Sequence, residues 1–336
     1  MSAPNSAANR LKQVQGFLSE NNERSPDMMW PALPARAGYL ALKNGRRRNA
    51  LSLAVLRDLR DQLHAYNKSP VDGGLRILPP FKPDLLADLE KASKDINSDA
   101  GKQYGWLLDS AKWQEHRKGL PNVIVLRSEG PVFSSGHDLG ELRTLSHDEV
   151  KETFALCAEV MSLIRRSPAP VIGAIQGLAT AAGAQLALTT DLPIACATTQ
   201  FRLPGASMGL PCTSPSTAVS RKLGHALTYR MLALAEPIRA DRLPGGAVDV
   251  VADQEAFEKR LTAMVDQLSE TAGQPQALGK WAYWTQLSFR GGESGGDGYE
   301  DAVAWAGRIM ALHARAEDAR EGIKAFFERR PPIWKT

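Results

Sequence analysis

Cysteine is scarce in this 336-residue chain, and its few copies form no pattern. Cys157, Cys196 and Cys212 are odd in number and widely spaced, which excludes a disulfide framework and favours a reducing interior compartment. No apolar run approaches the roughly 18 residues that a membrane-spanning helix needs, so no membrane span is expected. The six histidines lack the spacing of metal ligands, and no metal site is expected.

The chain also lacks a large excess of positive or negative charge. The 41 basic and 37 acidic side chains leave a net charge of +4, which is too balanced to predict nucleic acid as a partner but suits a polyanionic small ligand. The nearest thing to a basic cluster is Arg46-Arg47-Arg48. The first 19 residues contain no acidic side chain but include Arg10 and Lys12. They match a mitochondrial transit peptide weakly, and a plain disordered terminus explains them about as well.

Short β-like runs alternate with helical patterns along the chain, which favours an α/β fold. Continuous apolar runs predict buried strands over 38–42, 122–126, 170–175 and 194–197. Apolar residues at helical spacing predict helices over 52–67, 146–167 and 181–188, with later ones around 216–235, 254–271 and 297–329. Ser146 and Glu149 form a capping-box pair at the start of the clearest helix. Asp191 is expected to cap or pair structurally.

The segment 69–120 does not continue this alternation. It opens with a loop signal over 69–74. Two amphipathic patches follow, around Leu85-Leu86-Leu89 and Trp106-Leu107-Leu108-Trp113. Two interpretations remain: a surface excursion packed on the outside of the domain, or a lid over a ligand-binding cavity.

Two glycine-rich turns each follow a predicted strand, Pro-Val-Phe-Ser-Ser-Gly-His-Asp-Leu at 131–139 and Gly-Leu-Ala-Thr-Ala-Ala-Gly-Ala-Gln-Leu at 177–186. Small residues at 179–184 let a ligand approach the backbone, and the helix that begins there presents free N–H groups and its positive dipole end. An anion or a polarised carbonyl group suits such a position, although small residues before a helix also serve packing alone. A Rossmann dinucleotide site is disfavoured because the second turn lacks the GxGxxG pattern.

With both turns in place, the sequence resembles the crotonase (enoyl-CoA hydratase/isomerase) superfamily from about Gly38 to the C-terminus, apart from the 69–120 insertion. The resemblance also includes Arg-Arg-Asn-Ala-Leu-Ser at 47–52, the loop 201–211 and the final run 321–330. Within the superfamily, the two turns look most like the enoyl-CoA hydratase domain-containing protein 3 group.

The resemblance implies a ClpP-like spiral of ββα units whose helical C-terminal region forms a homotrimer or hexamer. It divides the chain into an N-terminal extension over 1–36, a core over 37–270 that contains the insertion, and a helical C-terminal region over 271–336. It also favours a mitochondrial location over a cytoplasmic one.

The resemblance further implies an oxyanion hole built from the backbone N–H groups of His137 and Ala182, which would stabilise the enolate of an acyl-CoA thioester. The His137 side chain is not needed for that role and remains open as a general base, a pocket wall or a turn residue. No cofactor is implied beyond the coenzyme A of the substrate. The residues implied to line the coenzyme A site are Arg48, Ala50, Ser135, Asp138 and Leu139, with Phe326 and Arg329 reaching the nucleotide from a neighbouring subunit. A solvated helix end explains Arg329 equally well.

The sequence departs from the hydratase pattern at both catalytic glutamates. Their positions are occupied by Gln185 and Gly205, neither of which can accept a proton at neutral pH. Classical hydratase activity is therefore expected to be weak or absent, which leaves decarboxylation, isomerisation and thioester hydrolysis open. An acyl-CoA-binding pseudoenzyme with a regulatory or scaffold role is the alternative. The nearby groups that remain as replacements for the glutamates are His137, Asp138, Cys212, Thr213 and Ser214, although Cys212 is better explained as a buried small hydrophobe. Gln185 remains open as a residue that orients a water molecule or a substrate carboxylate.

Overall fold

The computed structural model describes residues 30–208, 210, 212–289 and 317–336. Its strands are β1 (Ala37–Leu42), β2 (Val123–Ser128), β3 (Val171–Ile175), β4 (Leu178–Thr180), β5 (Leu192–Cys196), β6 (Gln200–Arg202), β7 (Ile238–Arg239) and β8 (Asp249–Val251). Its helices are α1 (Leu53–Asn67), α2 (Leu85–Lys94), α3 (Asp99–Leu108), α4 (Ser110–His116), α5 (Leu139–Leu142), α6 (His147–Arg166), α7 (Ala182–Thr189), α8 (Gly205–Met208), α9 (Thr213–Leu223), α10 (His225–Leu234), α11 (Gln254–Ser269), α12 (Gly273–Gln286) and α13 (Glu317–Glu328).

Five parallel strands form the main sheet in the order β1-β2-β3-β5-β8. Every residue of β1 and β2 is buried, as their continuous apolar sequences predict for strands covered on both faces. A second sheet has the order β4-β6-β7, in which β4 and β6 run parallel and β7 is antiparallel. The α/β class predicted from the sequence is confirmed.

Helices cover both faces of the main sheet. On one face, α1, α6 and α7 pack with the sheet in the largest hydrophobic core. On the other face, α11 packs against alternate residues of the same strands. The predicted capping box opens α6, where the Ser146 hydroxyl accepts from the Glu149 amide and the Glu149 carboxylate accepts from the Ser146 amide.

One predicted helix is two helices. The range 216–235 contains the end of α9 and all of α10, because Gly224, at a φ of +81°, separates them. A left-handed backbone of this kind ends a helix and is easy only for glycine. The helix predicted over 297–329 is found from Glu317 onward as α13, and the residues before it lie outside the described part of the chain.

The last residues of the predicted N-terminal extension pack against the core. The Trp30 ring lies 5.1 Å from the Tyr39 ring, and the Tyr39 hydroxyl donates to the Pro31 carbonyl at 2.8 Å. Residues 1–29, on which the targeting prediction depends, lie outside the described residues.

Residues 69–120 form α2, α3 and α4, which pack on the outside of the domain. Their buried side chains make a separate hydrophobic cluster with α12, in which Trp106 stacks on Trp113 at 5.7 Å. The Trp281 ring N–H of α12 donates to the Pro80 carbonyl at 3.1 Å. This arrangement matches the surface-excursion interpretation. Among the described helices, none combines the length and hydropathy needed to cross a membrane.

A buried ion pair links the sheet to α12. The Asp191 carboxylate lies 2.6 Å from the Lys280 ammonium and accepts from the Val171 amide at 2.8 Å. Both side chains are largely buried. Asp191 therefore has the structural pairing that the sequence predicts.

Candidate functional site

The two glycine-rich turns lie directly against each other. The Thr180 amide donates to the Ser134 carbonyl at 3.0 Å, and the Ser134 amide donates to the Leu178 carbonyl at 3.2 Å. Gly136 has a φ of +83°, and a Cβ atom there would lie only 3.2 Å from the Ala182 nitrogen. The contact therefore requires glycine at the point where the first turn passes the start of α7.

The amides of His137 and Ala182 both belong to this junction. Ala182 is the first residue of α7, so its N–H is one that no carbonyl of the helix can reach. Neither amide donates a hydrogen bond to an atom of the described residues. Two such donors beside the positive end of a helix dipole can bind a carbonyl oxygen on which negative charge develops.

A cavity of about 620 Å³ lies over the junction. Its described walls contain no aspartate or glutamate and no residue of the 69–120 segment, so that segment does not act as its lid. The walls are mostly apolar, with several hydroxyl groups and one arginine. The lining residues are Ser135, His137, Leu139, Phe154, Leu178, Thr180, Ala181, Ala182, Arg202, Pro204, Gly205, Leu210, Cys212, Thr213, Ser214, Pro215 and Thr217.

A second, arginine-lined cavity of about 470 Å³ adjoins the first. The two cavities share Ser135, His137 and Leu139, so they meet at the first glycine-rich turn. The five residues predicted to line the coenzyme A site all belong to this second cavity. Its lining residues are Arg46, Arg47, Arg48, Ala50, Ser135, His137, Asp138 and Leu139.

Asp138 is engaged in structural contacts at the edge of the second cavity. Its carboxylate accepts from the Glu141 amide at 3.1 Å, which caps α5, and lies 3.0 Å from the Arg47 guanidinium. Arg46 and Arg48 form no ion pair with any described residue. Their charges are therefore available to an anionic ligand, whereas Asp138 is paired with Arg47, although its buried Oδ2 has no hydrogen-bond partner among the described residues.

His137 is the one described lining residue of the apolar cavity that can act as a neutral base. Its Nδ1 lies 3.4 Å from the Leu51 carbonyl. A carbonyl can only accept, so Nδ1 carries the proton and the Nε2 lone pair is left free. Burial lowers the pKa of His137 below its ordinary value, and the ring packs edge-on against Phe154 at 4.8 Å. The imidazole is therefore neutral at pH 7.

Gln185 lies behind the cavity wall and does not line it. Its amide donates to the Ser214 hydroxyl at 3.1 Å, and that hydroxyl is also positioned to donate back to Gln185 Oε1 at 3.3 Å. Ser214 faces the cavity, as does Gly205 at the start of α8. Of the two positions that the resemblance assigns to glutamates, Gln185 is therefore screened from the cavity by the Ser214 hydroxyl, and Gly205 exposes only backbone to it.

Cys212 is buried in the same wall. Burial raises the pKa of its thiol, and a hydrogen bond from the Gly205 backbone offsets this only in part. The group is a protonated thiol at neutral pH and a poor nucleophile.

The C-terminal residues lie away from both cavities within a single chain. Arg329 follows α13, is exposed and lines neither cavity. The chain end is held near α12, because the Asp318 carboxylate accepts from the Thr336 amide at 3.0 Å and the Gln274 amide donates to the Thr336 hydroxyl at 3.4 Å. Phe326 belongs to α13, and its side chain lies outside the described set. The predicted roles of Phe326 and Arg329 stay predictions.

Sequence reasoning missed several residues of the apolar cavity, among them Phe154, Thr180 and Arg202. Phe201 is fully buried, and side chains alternate along a strand. That alternation would have placed Arg202 on the face opposite the core.

Three comparisons place the chain among known proteins. The family model described as "Enoyl-CoA hydratase/isomerase" matches residues 116–336. "Enoyl-CoA hydratase domain-containing protein 3, mitochondrial" of Rattus norvegicus is 32% identical over 88% of this chain and 80% of its own length. The crystal structure of an enoyl-CoA hydratase from Mycobacterium smegmatis matches with a TM-score of 0.68 and 29% identity over 90% of this chain and 96% of that one. The structure of human enoyl coenzyme A hydratase domain-containing protein 3 matches with a TM-score of 0.67 and 28% identity over 90% and 97%.

Proposed function

The chain belongs to the enoyl-CoA hydratase/isomerase family, and from that premise we propose that it binds an acyl-CoA thioester and polarises the thioester carbonyl with the amides of His137 and Ala182. One observation carries the proposal: an arginine-lined cavity and an apolar cavity meet at two backbone amides that have no partner among the described residues.

Each part of such a ligand has a complementary surface. Arg46 and Arg48 suit the phosphate groups of coenzyme A, because arginine offers paired donors to phosphate oxygens. The apolar cavity suits an acyl chain. The two amides suit the carbonyl oxygen between them, where charge accumulates when the α-carbon is deprotonated and an enolate forms. Each such donor stabilises the charged state by about 2.7–4 kcal/mol.

The proposed chemistry is not standard hydration. Hydration of an enoyl thioester needs a water molecule held between a base and an acid, and neither Gln185 nor Gly205 can act as a base or as an acid. The neutral His137 imidazole is the candidate base for removing an α-proton. We therefore expect enolate-forming chemistry on acyl-CoA with weak or absent hydratase activity.

The test is proline at position 182. Proline lacks the N–H, so Ala182→Pro removes the proposed donor at a helix position where proline is otherwise tolerated. Ala181 before it has a φ of +51° and a ψ of −122°, which a following proline disfavours, so the variant is also expected to lose some stability. Acyl-, enoyl- and malonyl-type CoA thioesters are incubated with each variant, and all species are followed by mass spectrometry. Ala182→Pro is expected to lower turnover about 10²- to 10³-fold.

His225→Pro is the control, since His225 is the first residue of α10 and lines neither cavity. The control should keep its turnover and an unfolding temperature close to that of the wild type. Ala182→Pro should still unfold in one cooperative transition above the assay temperature, which shows that it is folded when its turnover is measured. Unchanged turnover in Ala182→Pro rejects the oxyanion role, and brisk hydration of crotonyl-CoA contradicts the argument from Gln185 and Gly205.

A pseudoenzyme that binds acyl-CoA without converting it is the second candidate. The absence of carboxylates from the described cavity walls favours it. It predicts that acyl-CoA raises the unfolding temperature while no thioester in the panel is consumed.

We also propose a mitochondrial location, since the rat relative carries that word in its name, and assembly into a trimer or hexamer. Fractionation of cells and light scattering of the purified chain test these two points separately.

A further inference from the structure

Arg202 is an isolated cation in the apolar cavity. Its Nε donates to the Ala235 carbonyl at 2.6 Å, which fixes the guanidinium by one side. It forms no ion pair with any described residue, and the cavity walls hold no described carboxylate. A half-buried charge without a counter-ion is unfavourable, so a partner that arrives with a ligand would relieve a standing penalty.

Thr180 lies beside Arg202 and is also without a partner. The two residues are paired in register between the parallel strands β4 and β6, so their side chains project from the same face. Thr180 is only 9% exposed, and its buried hydroxyl has no hydrogen-bond partner among the described residues. Buried hydroxyl groups are usually hydrogen-bonded, so a polar group of a ligand in the cavity would satisfy this one.

The two groups together fit a carboxylate. A guanidinium presents parallel donors that match two carboxylate oxygens, and a hydroxyl adds a further donor. Their position limits the ligand. The Arg202 carbonyl accepts from the Ala181 amide at 2.9 Å, and Thr180 precedes Ala182 by two residues, a span of at most about 7 Å. A carboxylate bound here would lie a few bonds from the thioester carbonyl, whereas the arginines suited to coenzyme A line the other cavity.

We propose that Arg202 and Thr180 bind a free carboxylate on the acyl group, so that the preferred ligands are coenzyme A thioesters of short dicarboxylic acids. This inference rests on the proposed function, because it takes the apolar cavity to be the acyl-chain site. It adds a requirement for a negative charge at the end of the acyl chain opposite the thioester.

The experiment compares thioesters of equal shape and different charge. Malonyl-CoA is paired with isovaleryl-CoA, and succinyl-CoA with 4-methylpentanoyl-CoA, because an isopropyl group has the shape of a carboxylate. Calorimetry on the full chain measures their dissociation constants and that of free coenzyme A. The wild type is expected to bind the charged member of at least one pair about tenfold or more tightly.

Arg202→Met removes the charge and keeps the aliphatic stem. It is expected to raise the dissociation constant of the preferred dicarboxylic thioester about 10- to 100-fold. The dissociation constants of the isopropyl analogues and of free coenzyme A should stay within about threefold of the wild-type values. Thr180→Val, of nearly the same shape, should weaken the same ligand about 3- to 10-fold. Arg202→Lys should recover part of the loss, because it restores a charge but not the paired donors.

The outcomes separate this inference from the proposed function. Equal binding of charged and isopropyl thioesters by the wild type overturns the carboxylate site and leaves acyl-CoA binding intact. If Arg202→Met loses affinity equally for every ligand, free coenzyme A included, then Arg202 supports the fold or binds the coenzyme A phosphates. That result also overturns the carboxylate site. If no thioester binds the wild type, both proposals fail.

Discussion

Gly136 lies where the two turns press together, and an alanine at this position is expected to force them apart. Its φ of +83° belongs to the left-handed region, which costs a residue with a Cβ atom about 1–2 kcal/mol. The new Cβ would also meet the Thr180 carbonyl oxygen and the Ala181 Cβ, each at 2.9 Å. Crowding of this kind adds about 1–3 kcal/mol. Gly136→Ala should therefore lower the free energy of unfolding by about 2–5 kcal/mol.

Two other glycines separate these contributions. Gly246 has a φ of +81° but nothing within 4 Å of an added Cβ, so Gly246→Ala isolates the backbone strain. Gly245 has neither a left-handed backbone nor a near neighbour, and Gly245→Ala should change stability by no more than about 0.5 kcal/mol. The difference between Gly136→Ala and Gly246→Ala measures the crowding between the turns.

Urea unfolding gives the three stabilities, and thioester binding or turnover gives the functional readout. Any relaxation that relieves the crowding moves the His137 or Ala182 amide, so Gly136→Ala should also lose most of its acyl-CoA turnover while both controls retain it. If Gly136→Ala loses no more stability than Gly246→Ala and keeps full function, the turns are not in the contact described above.

Two further predictions concern titratable groups. Lys280→Met removes the ion-pair partner of the largely buried Asp191, to which the charges of Lys222 and Arg165 remain as weaker neighbours, and should lower the free energy of unfolding by about 3 kcal/mol. Arg57→Met, in an exposed ion pair, should lower it by less than about 1 kcal/mol in the same urea assay. Burial lowers the pKa of His137 from its ordinary value of 6.5, so the unfolded chain binds a proton that the folded chain does not as the pH falls through that value. Stability should thus decline below about pH 7, and less so in His137→Gln. His116→Gln should reduce the pH dependence as well, because burial also lowers the His116 pKa. If the urea midpoints of the wild type and of His137→Gln change with pH in parallel, the prediction is contradicted.

The main sheet could be predicted from the sequence because its strands are buried on both faces. Such strands appear as unbroken apolar runs, and the helices beside them show apolar residues at helical spacing. Helix α12 lies in the region 271–336 that the resemblance implies to be helical, but its bounds could not be predicted from the spacing of its apolar residues. Its buried face is set by Trp281, which packs against residues 69–120, more than 160 positions away in the sequence. The short strands β4, β6 and β7 have two or three residues each, too few for a periodic pattern.

At the candidate site, predictions about backbone went further than predictions about side chains. The turn sequences, taken with the family resemblance, indicate which amides lie free, because helix starts leave donors unsatisfied wherever they occur. By contrast, the orientation of Gln185 depends on Ser214, and the lack of an ion pair for Arg202 depends on cavity walls that several separate elements build and whose described residues include no acid. These side-chain surroundings exist only in the folded chain, so they could not be predicted from the sequence.

The pairing of β1 with β2 also matters during synthesis of the chain, because the two strands are made at different times. Ala37 pairs with Val123, about 86 positions later, so the first strand has no partner until α2, α3 and α4 have been made. At translation rates of about 5–20 residues per second, that interval lasts roughly 4–17 s. Throughout it the apolar strand β1 is exposed on the ribosome, and long-range parallel pairing is slow even after the partner strand arrives. An unpaired apolar strand of this kind is prone to aggregate, and shielding such segments is what chaperones do.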